Sequence, residues 1–187
     1  LAYQPHSFQR QFCKMTFGDD IIAISAPEPS DLDRMFEWEN DPSLWGAGDN
    51  AGPLSRASLS ALIDNGGGFL AVEGQARFMI RRRSDGATLG IIDFFGYDLL
   101  NSRVGVGILI GGEFRGSGYA KRALDIAAGW LAGHHGMHQI WALVAADNAA
   151  SLGLFTSAGY KATERRCDWL RRSGGYVDAV LMQKLLT

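Results

Sequence analysis

Apolar residues along this chain switch between two repeats, one of two residues and one of three to four, and each switch predicts an element. Ile21 to Ser25 is a β-branched run closed by Pro27 and Pro29, which lack a ladder donor, and predicts a first strand. Leu32, Met35 and Phe36 follow at helical spacing, with Ser30 as a cap and Asp31 and Asp33 at the positive end, so a helix is expected as far as Asn40, before Pro42. Leu59, Leu62 and Ile63 predict a second helix over Ser55 to Asn65, stopped by Gly66 to Gly68. Arg77 to Arg82 and Thr88 to Phe95 read as two strands joined at Ser84, Asp85 and Gly86. Val104 to Ile110 is a further strand, interrupted by Gly105 and Gly107, where a bulge or the close approach of another group is expected. Ala120, Ala123, Leu124, Ala127, Ala128 and Leu131 predict a helix over Gly118 to Ala132. Ile140 to Ala145 is then a short strand, Ala149 to Ser157 a short helix ended by Gly159, and Tyr160 onward is extended. Ser173 to Gly175 turns a last hairpin into Val177 to Leu181.

Leu1 to Gly18 has neither period and reads as a flexible tail in which Met15 is a possible start, leaving 19–187 as one domain. The mixture of hairpins with one strand–helix–strand unit predicts an α+β, mixed α/β fold. Hydrophobic residues at 47% and charged residues at 20% imply a packed core in place of disorder. A net charge of −2 gives no surface suited to nucleic acid. Cys13 and Cys167 have no metal-ligand spacing and are too few for a disulfide scaffold, so ordinary thiols in a reducing compartment are expected. No apolar run reaches the roughly 18 residues of a membrane span, and no signal-peptide order opens the chain. The expectation is a cytoplasmic protein with no membrane partner. His134, His135 and His138 gather near a helix end without carboxylate or cysteine partners, and no metal is expected there.

The strongest chemical signal runs from Ile108 to Lys121, where a strand enters Gly111, Gly112, Glu113, Phe114, Arg115, Gly116, Ser117, Gly118, Tyr119 and Ala120 before a helix. Glycines let successive N–H groups converge without Cβ clashes, and the helix start adds partial positive charge, so the segment suits a phosphate or pyrophosphate. A tight turn that needs glycine for its backbone angles is the plainer reading. No lysine followed by serine or threonine stands where a P-loop needs it, and no acidic ribose partner follows at a dinucleotide-site offset.

The Arg-x-x-Gly-x-Ala pattern of Arg115, Gly118 and Ala120 resembles the GNAT superfamily of acyl-CoA-dependent N-acyltransferases. A second similarity lies in Asp147 to Tyr160, an Asn-x-x-Ser segment ending in Gly159 and Tyr160. Asn148 by itself reads as a helix cap. The resemblance extends from about Ile21 to Leu186, and Trp38 to Pro42 resembles a subgroup that includes spermidine and ribosomal-protein N-terminal acetyltransferases.

That resemblance implies a mostly antiparallel mixed sheet of about seven strands with about four flanking helices, and a parallel pair, Val104 to Ile110 and Ile140 to Ala145, splayed to admit a thioester. It implies acetyl-CoA as cosubstrate, no metal, and coenzyme A contacts at Ile108, Leu109, Ile110, Arg115, Gly116, Ser117, Gly118, Tyr119, Ala120, Asn148, Ser151 and Phe155. The acceptor would be a polyamine, another small amine or a peptide N-terminus, attacked directly in a ternary complex, with a homo-oligomer possible. A backbone N–H of the Val104 to Ile110 strand would bond the thioester oxygen, and a bulge is expected there.

Two positions depart from the pattern: Phe155 stands where many relatives carry a tyrosine acid, and Gly105 where polyamine enzymes often carry glutamate. These departures motivate an alternative, an acyl-CoA-binding module with little turnover. For catalysis the candidates are Asp93 and Asp98 as base or amine anchor and Tyr97 or Tyr176 as hydroxyl donors. The plainer alternatives are Asp98 starting a turn with Asn101, Tyr97 covering the sheet, and Asp178 as a solvent-facing strand charge. Glu37 and Glu39 read as solvated helix positions, and Arg81 to Arg83 as exposed strand and turn charges.

Overall fold

An eight-stranded sheet in the order β1-β2-β3-β4-β5-β6-β8-β7 organises the computed structural model, which describes residues 16–45, 52–68, 70–172 and 174–186. The strands are β1 Thr16–Gly18, β2 Ile22–Ser25, β3 Ala76–Arg82, β4 Thr88–Asp98, β5 Arg103–Ile110, β6 Gln139–Ala145, β7 Lys161–Arg172 and β8 Gly175–Leu185. The helices among the described residues are α1 Leu32–Glu39, α2 Pro42–Trp45, α3 Arg56–Asp64, α4 Leu70–Glu73, α5 Tyr119–His135 and α6 Ala149–Ser157. All strand pairs are antiparallel except β5 with β6. None of the described helices is long and apolar enough to cross a membrane.

The expected α+β class is therefore observed, with one strand and two single-turn helices more than expected. The extra strand corrects the tail: Thr16–Gly18 pairs with β2, Phe17 opposite Ile24. Phe17 explains why, because its ring stacks on Trp130 of α5 at 4.5 Å. Met15 lies outside the described residues.

Two apolar clusters sandwich the sheet. On one face α5 buries Ala123, Leu124, Ala127, Ala128 and Leu131, its three-and-four-spaced stripe, against Ile92, Phe94, Val104, Val106 and Ile140. On the other, Met35 and Trp38 of α1 and Leu59 and Ile63 of α3 meet Met79 and Ile91. Each fully buried aliphatic side chain contributes roughly 1.5–3 kcal/mol of burial free energy. The second layer is pinned by a buried ion pair. Arg81 of β3 donates to Asp31 at 2.9 and 2.5 Å and to Ser25 at 2.9 Å, and both partners are almost wholly enclosed. Arg81 is thus no exposed charge; its alternation with Met79 along β3 puts both on the α1 face.

Where β5 and β6 run side by side they pair only through Arg103–Gln139, Val104–Ile140 and Gly105–Trp141. Beyond that point β5 stays on β4 as far as Ile110, while β6 stays on β8 as far as Ala145. The two strands diverge, and their backbones leave a gap.

Candidate active site

The gap opens into a cleft of about 530 Å³. Its walls are Val106 to Leu109 of β5 and Ala142 to Ala145 of β6, with Asn148 and, from α6, Ser151 and Phe155 at one end and Glu39, Arg77, Asp93 and Phe95 at the other, while the Trp38 ring lines it next to Gly111. The strand pairing decides which backbone groups face it. Gly111 N–H donates to Leu89 C=O at 2.9 Å, so in the antiparallel alternation the N–H groups of Val106, Ile108 and Ile110 point away from β4, toward the gap. Beyond Gly105 no strand takes them.

Past Ile110 the chain turns through Gly116 (φ 76°) and Gly118 (φ 79°), left-handed conformations that suit glycine, and Gly118 caps α5. A Cβ built on either glycine meets no described atom within 4 Å, so no described side chain fills that hollow. Among the described residues, no protein acceptor takes the N–H groups of Gly116, Ser117, Gly118, Tyr119 or Ala120, which are the orphan donors of a helix start. Arg115 folds back, its Nε donating to Ile110 C=O at 3.1 Å. Asn148 accepts from Ser151 N–H at 3.0 Å through Oδ1 while lining the cleft, so the cap uses its oxygen and leaves Nδ2 without an acceptor among the described residues.

At the opposite end sits a charged trio. Arg77 of β3 bonds Asp93 of β4 through Nε–Oδ1 at 2.7 Å and Nη2–Oδ2 at 2.8 Å, and its Nη1 bonds Glu39 at the end of α1. Burial by itself would ease loss of the guanidinium's proton, but the two carboxylates more than reverse that, Asp93 first, and hold it charged. The trio sums to one negative charge. Beside it Phe95 and Trp141 meet edge to face at 5.1 Å across Gly105.

The model of the acetyltransferase (GNAT) domain matches residues 22–161, about three quarters of the chain. The chain belongs to the GNAT acetyltransferase family. It is an N-acetyltransferase with acetyl-CoA as cosubstrate. No curated protein matches it. Solved structures share the fold. A spermidine N-acetyltransferase from Vibrio cholerae in complex with CoA and spermine superposes with a TM-score of 0.80 at 18% identity, covering 90% of this chain and 97% of that one. A probable acetyltransferase gives 0.79 at 21%, covering 91% and 97%. A dodecameric spermidine N-acetyltransferase from Vibrio cholerae gives 0.74 at 17%, covering 90% and 95%.

Within this GNAT domain the sequence-derived residues divide. Ile108, Leu109, Asn148, Ser151, Phe155 and Asp93 line the cleft, and Ile110, Arg115 and Gly116 to Ala120 form the turn at its end. Three candidates lie elsewhere. Asp98 accepts from Asn101 N–H and Nδ2 and from Arg103, which holds its carboxyl below the usual range, and it caps the β4–β5 turn away from the cleft. Tyr97 is on the α5 face, its ring 5.9 Å from His135. Tyr176 is 63% exposed on the β7–β8 hairpin. The bulge is also displaced. β5 is regular, and the extra residue is in β4 between Phe95 and Asp98, where Gly96 has φ 57°.

Arg77, Phe95 and Trp141 line the cleft without belonging to any motif, and Glu39, expected at a solvated helix position, is enclosed. Its side chain is 13% exposed and bonded to Arg77. The available signal was Arg77-x-Met79-x-Arg81, an alternation that turns two arginines inward and so demands buried carboxylates.

Proposed function

We propose that the chain transfers an acetyl group to a small primary amine by direct attack in a ternary complex, with the amine lodged beside Asp93 and Glu39. The observation that carries this reading is the divergence of β5 and β6 after Gly105 and Trp141, which leaves a row of backbone donors beside a net-negative, partly enclosed group.

The residues fit acetyl-CoA on the geometry of the glycine turn, whose amides meet no acceptor, and whose hollow holds no side chain, among the described residues. Bound there, it supplies an activated acyl group with a thiol leaving group of pKa about 8.5. The amides of Gly116 to Ala120 hold a pyrophosphate. Asn148 Nδ2 and the main chain of Ile108 and Ile110 bond the pantetheine amides, and Phe155 packs against that arm. The Val106 N–H, the gap-facing donor not committed to the pantetheine arm, would polarise the thioester oxygen.

Asp93 and Glu39 attract the acceptor as its ammonium ion. Asp93 keeps 34% of its side chain exposed, so water at its oxygens takes the ammonium proton. The free amine forms the C–N bond as the C–S bond breaks; a second proton leaves the nitrogen, the thiolate takes up one, and one proton is released overall. Among the described cleft-lining residues Ser151 is the one with a side-chain hydroxyl, and the thiolate draws its proton from water that enters the cleft. The Vibrio cholerae neighbour's spermine and CoA support an amine acceptor, and the dodecameric neighbour supports self-association, which light scattering measures. A cytoplasmic setting goes with the same reading.

Thiol release from acetyl-CoA, followed with a panel of primary amines and peptides alongside calorimetry with coenzyme A, tests the proposal. Acceptor-dependent release is expected. Tight coenzyme A binding without release by any amine would instead make the chain a binding module.

A further inference from the structure

The acceptor end of the cleft has a composition that limits which amine fits it. We infer that the acceptor is a monoamine bearing a flat apolar body, an arylalkylamine in chemical class, in preference to a polyamine. The inference rests on the acetyl-transfer reading above and deepens it.

Charge comes first. Among the described residues lining the cleft, Glu39, Arg77 and Asp93 are the charged ones, and together they carry one negative charge. One ammonium neutralises that charge. A second or third ammonium of a polyamine would lie against Leu44, Ile91 and Leu109, which strip a cation's hydration, and the described lining offers it no further carboxylate.

Shape comes next. Phe95 and Trp141 form one aromatic wall because residue 105 is glycine: a Cβ there would lie 2.5 Å from Phe95 Cε2 and 2.9 Å from Trp141 Cζ2. Trp169 lines the same cleft from β7. It stands 52% exposed on β7, with the Arg166 guanidinium 4.7 Å from its ring centroid. The pairing of β7 with β8 is irregular between Arg166 and Leu170, where Asp168 takes φ 49° and donates its N–H to Asp178 at 2.9 Å, a break that re-aims the strand's side chains. A ring between Trp169 and the Phe95–Trp141 wall can stack or meet an edge, while its amine reaches Asp93.

The test compares kcat/KM for 2-phenylethylamine, propylamine and spermidine at one pH and fixed acetyl-CoA, with coenzyme A affinity measured separately by calorimetry. Phenylethylamine is expected to exceed each of the others at least tenfold. In Trp169→Ala, whose side chain is half exposed and whose loss leaves the core intact, the phenylethylamine-to-propylamine ratio should fall at least threefold with an unchanged circular-dichroism spectrum. Spermidine as the best substrate, or a ratio unmoved by Trp169→Ala, overturns the inference while leaving acetyl transfer standing. Coenzyme A binding with no turnover of any of the three overturns both.

Discussion

Arg77 grips Asp93 with two parallel hydrogen bonds and Glu39 with a third nitrogen, so one cation compensates two carboxylates contributed by β4 and α1. Arg77→Gln would leave those carboxylates facing one another and take the trio from one negative charge to two. Stability should fall by about 1–3 kcal/mol, less than for a fully enclosed pair because Asp93 is part exposed. The ratio of kcat/KM for a diamine to that for a monoamine should rise severalfold. Urea denaturation and a two-substrate comparison check both.

Gly118→Ala separates ligand binding from folding. The new Cβ meets no described atom within 4 Å, and the φ of 79° is the source of strain, costing roughly 1–2 kcal/mol. It projects into the hollow proposed for the pyrophosphate. Coenzyme A affinity should drop at least tenfold by calorimetry in a protein that remains folded.

Gly105→Ala has the opposite signature. Its Cβ collides with Phe95 and Trp141, so the rings must shift, at about 1–3 kcal/mol. The amine KM should rise while coenzyme A affinity is retained, because the turn at Gly116 is remote from the wall. Steady-state kinetics with each substrate varied in turn distinguishes the two.

Asp31→Ala strands the Arg81 guanidinium in an enclosed site between α1 and β3. A loss of about 3–5 kcal/mol is expected. At roughly 2–4 °C per kcal/mol for a chain of this size, the Tm should fall by about 6–20 °C in a thermal melt.

Acid should weaken the fold through identifiable carboxylates. Burial pushes the Asp19 carboxyl up, but the N–H groups of Ile22 and Ile21 and the Arg122 guanidinium bring it below the usual range. Asp178 is held low chiefly by Asp168 N–H and then by Arg165. A lowered folded pKa means that the stabilisation is complete above the unfolded value of about 3.9 and is lost as pH falls through the folded one. The urea midpoint should therefore drop as the pH falls below about 4, and Asp19→Asn should be weaker at neutral pH with a shallower acid slope.

The local elements could be read from the chain because each is set by near neighbours. The α6 bounds follow from Asn148 and Gly159, the α5 stripe from alanines and leucines three and four apart, and the glycine turn from its own residues. The one-turn helices α2 and α4 left no periodic trace, being too short for one. Burial of side chains that sequence calls polar was the harder matter. Whether Asp93 is a base or half of an ion pair depends on Arg77, sixteen residues away, arriving opposite it on β3. Asp98 shares its strand and chemistry, but the break after Phe95 turns it into a cap.

Family motifs, the glycine turn itself and most strands and helices are legible along the chain, since propensity, capping and glycine stereochemistry act over a few residues. Tertiary structure alone decided where β5 and β6 part, which backbone donors face the gap, that Glu39 is enclosed, and that Gly105 exists to seat two aromatic rings. Those facts arise from pairings between distant segments, and no short-range pattern encodes which side chain a strand meets across a sheet.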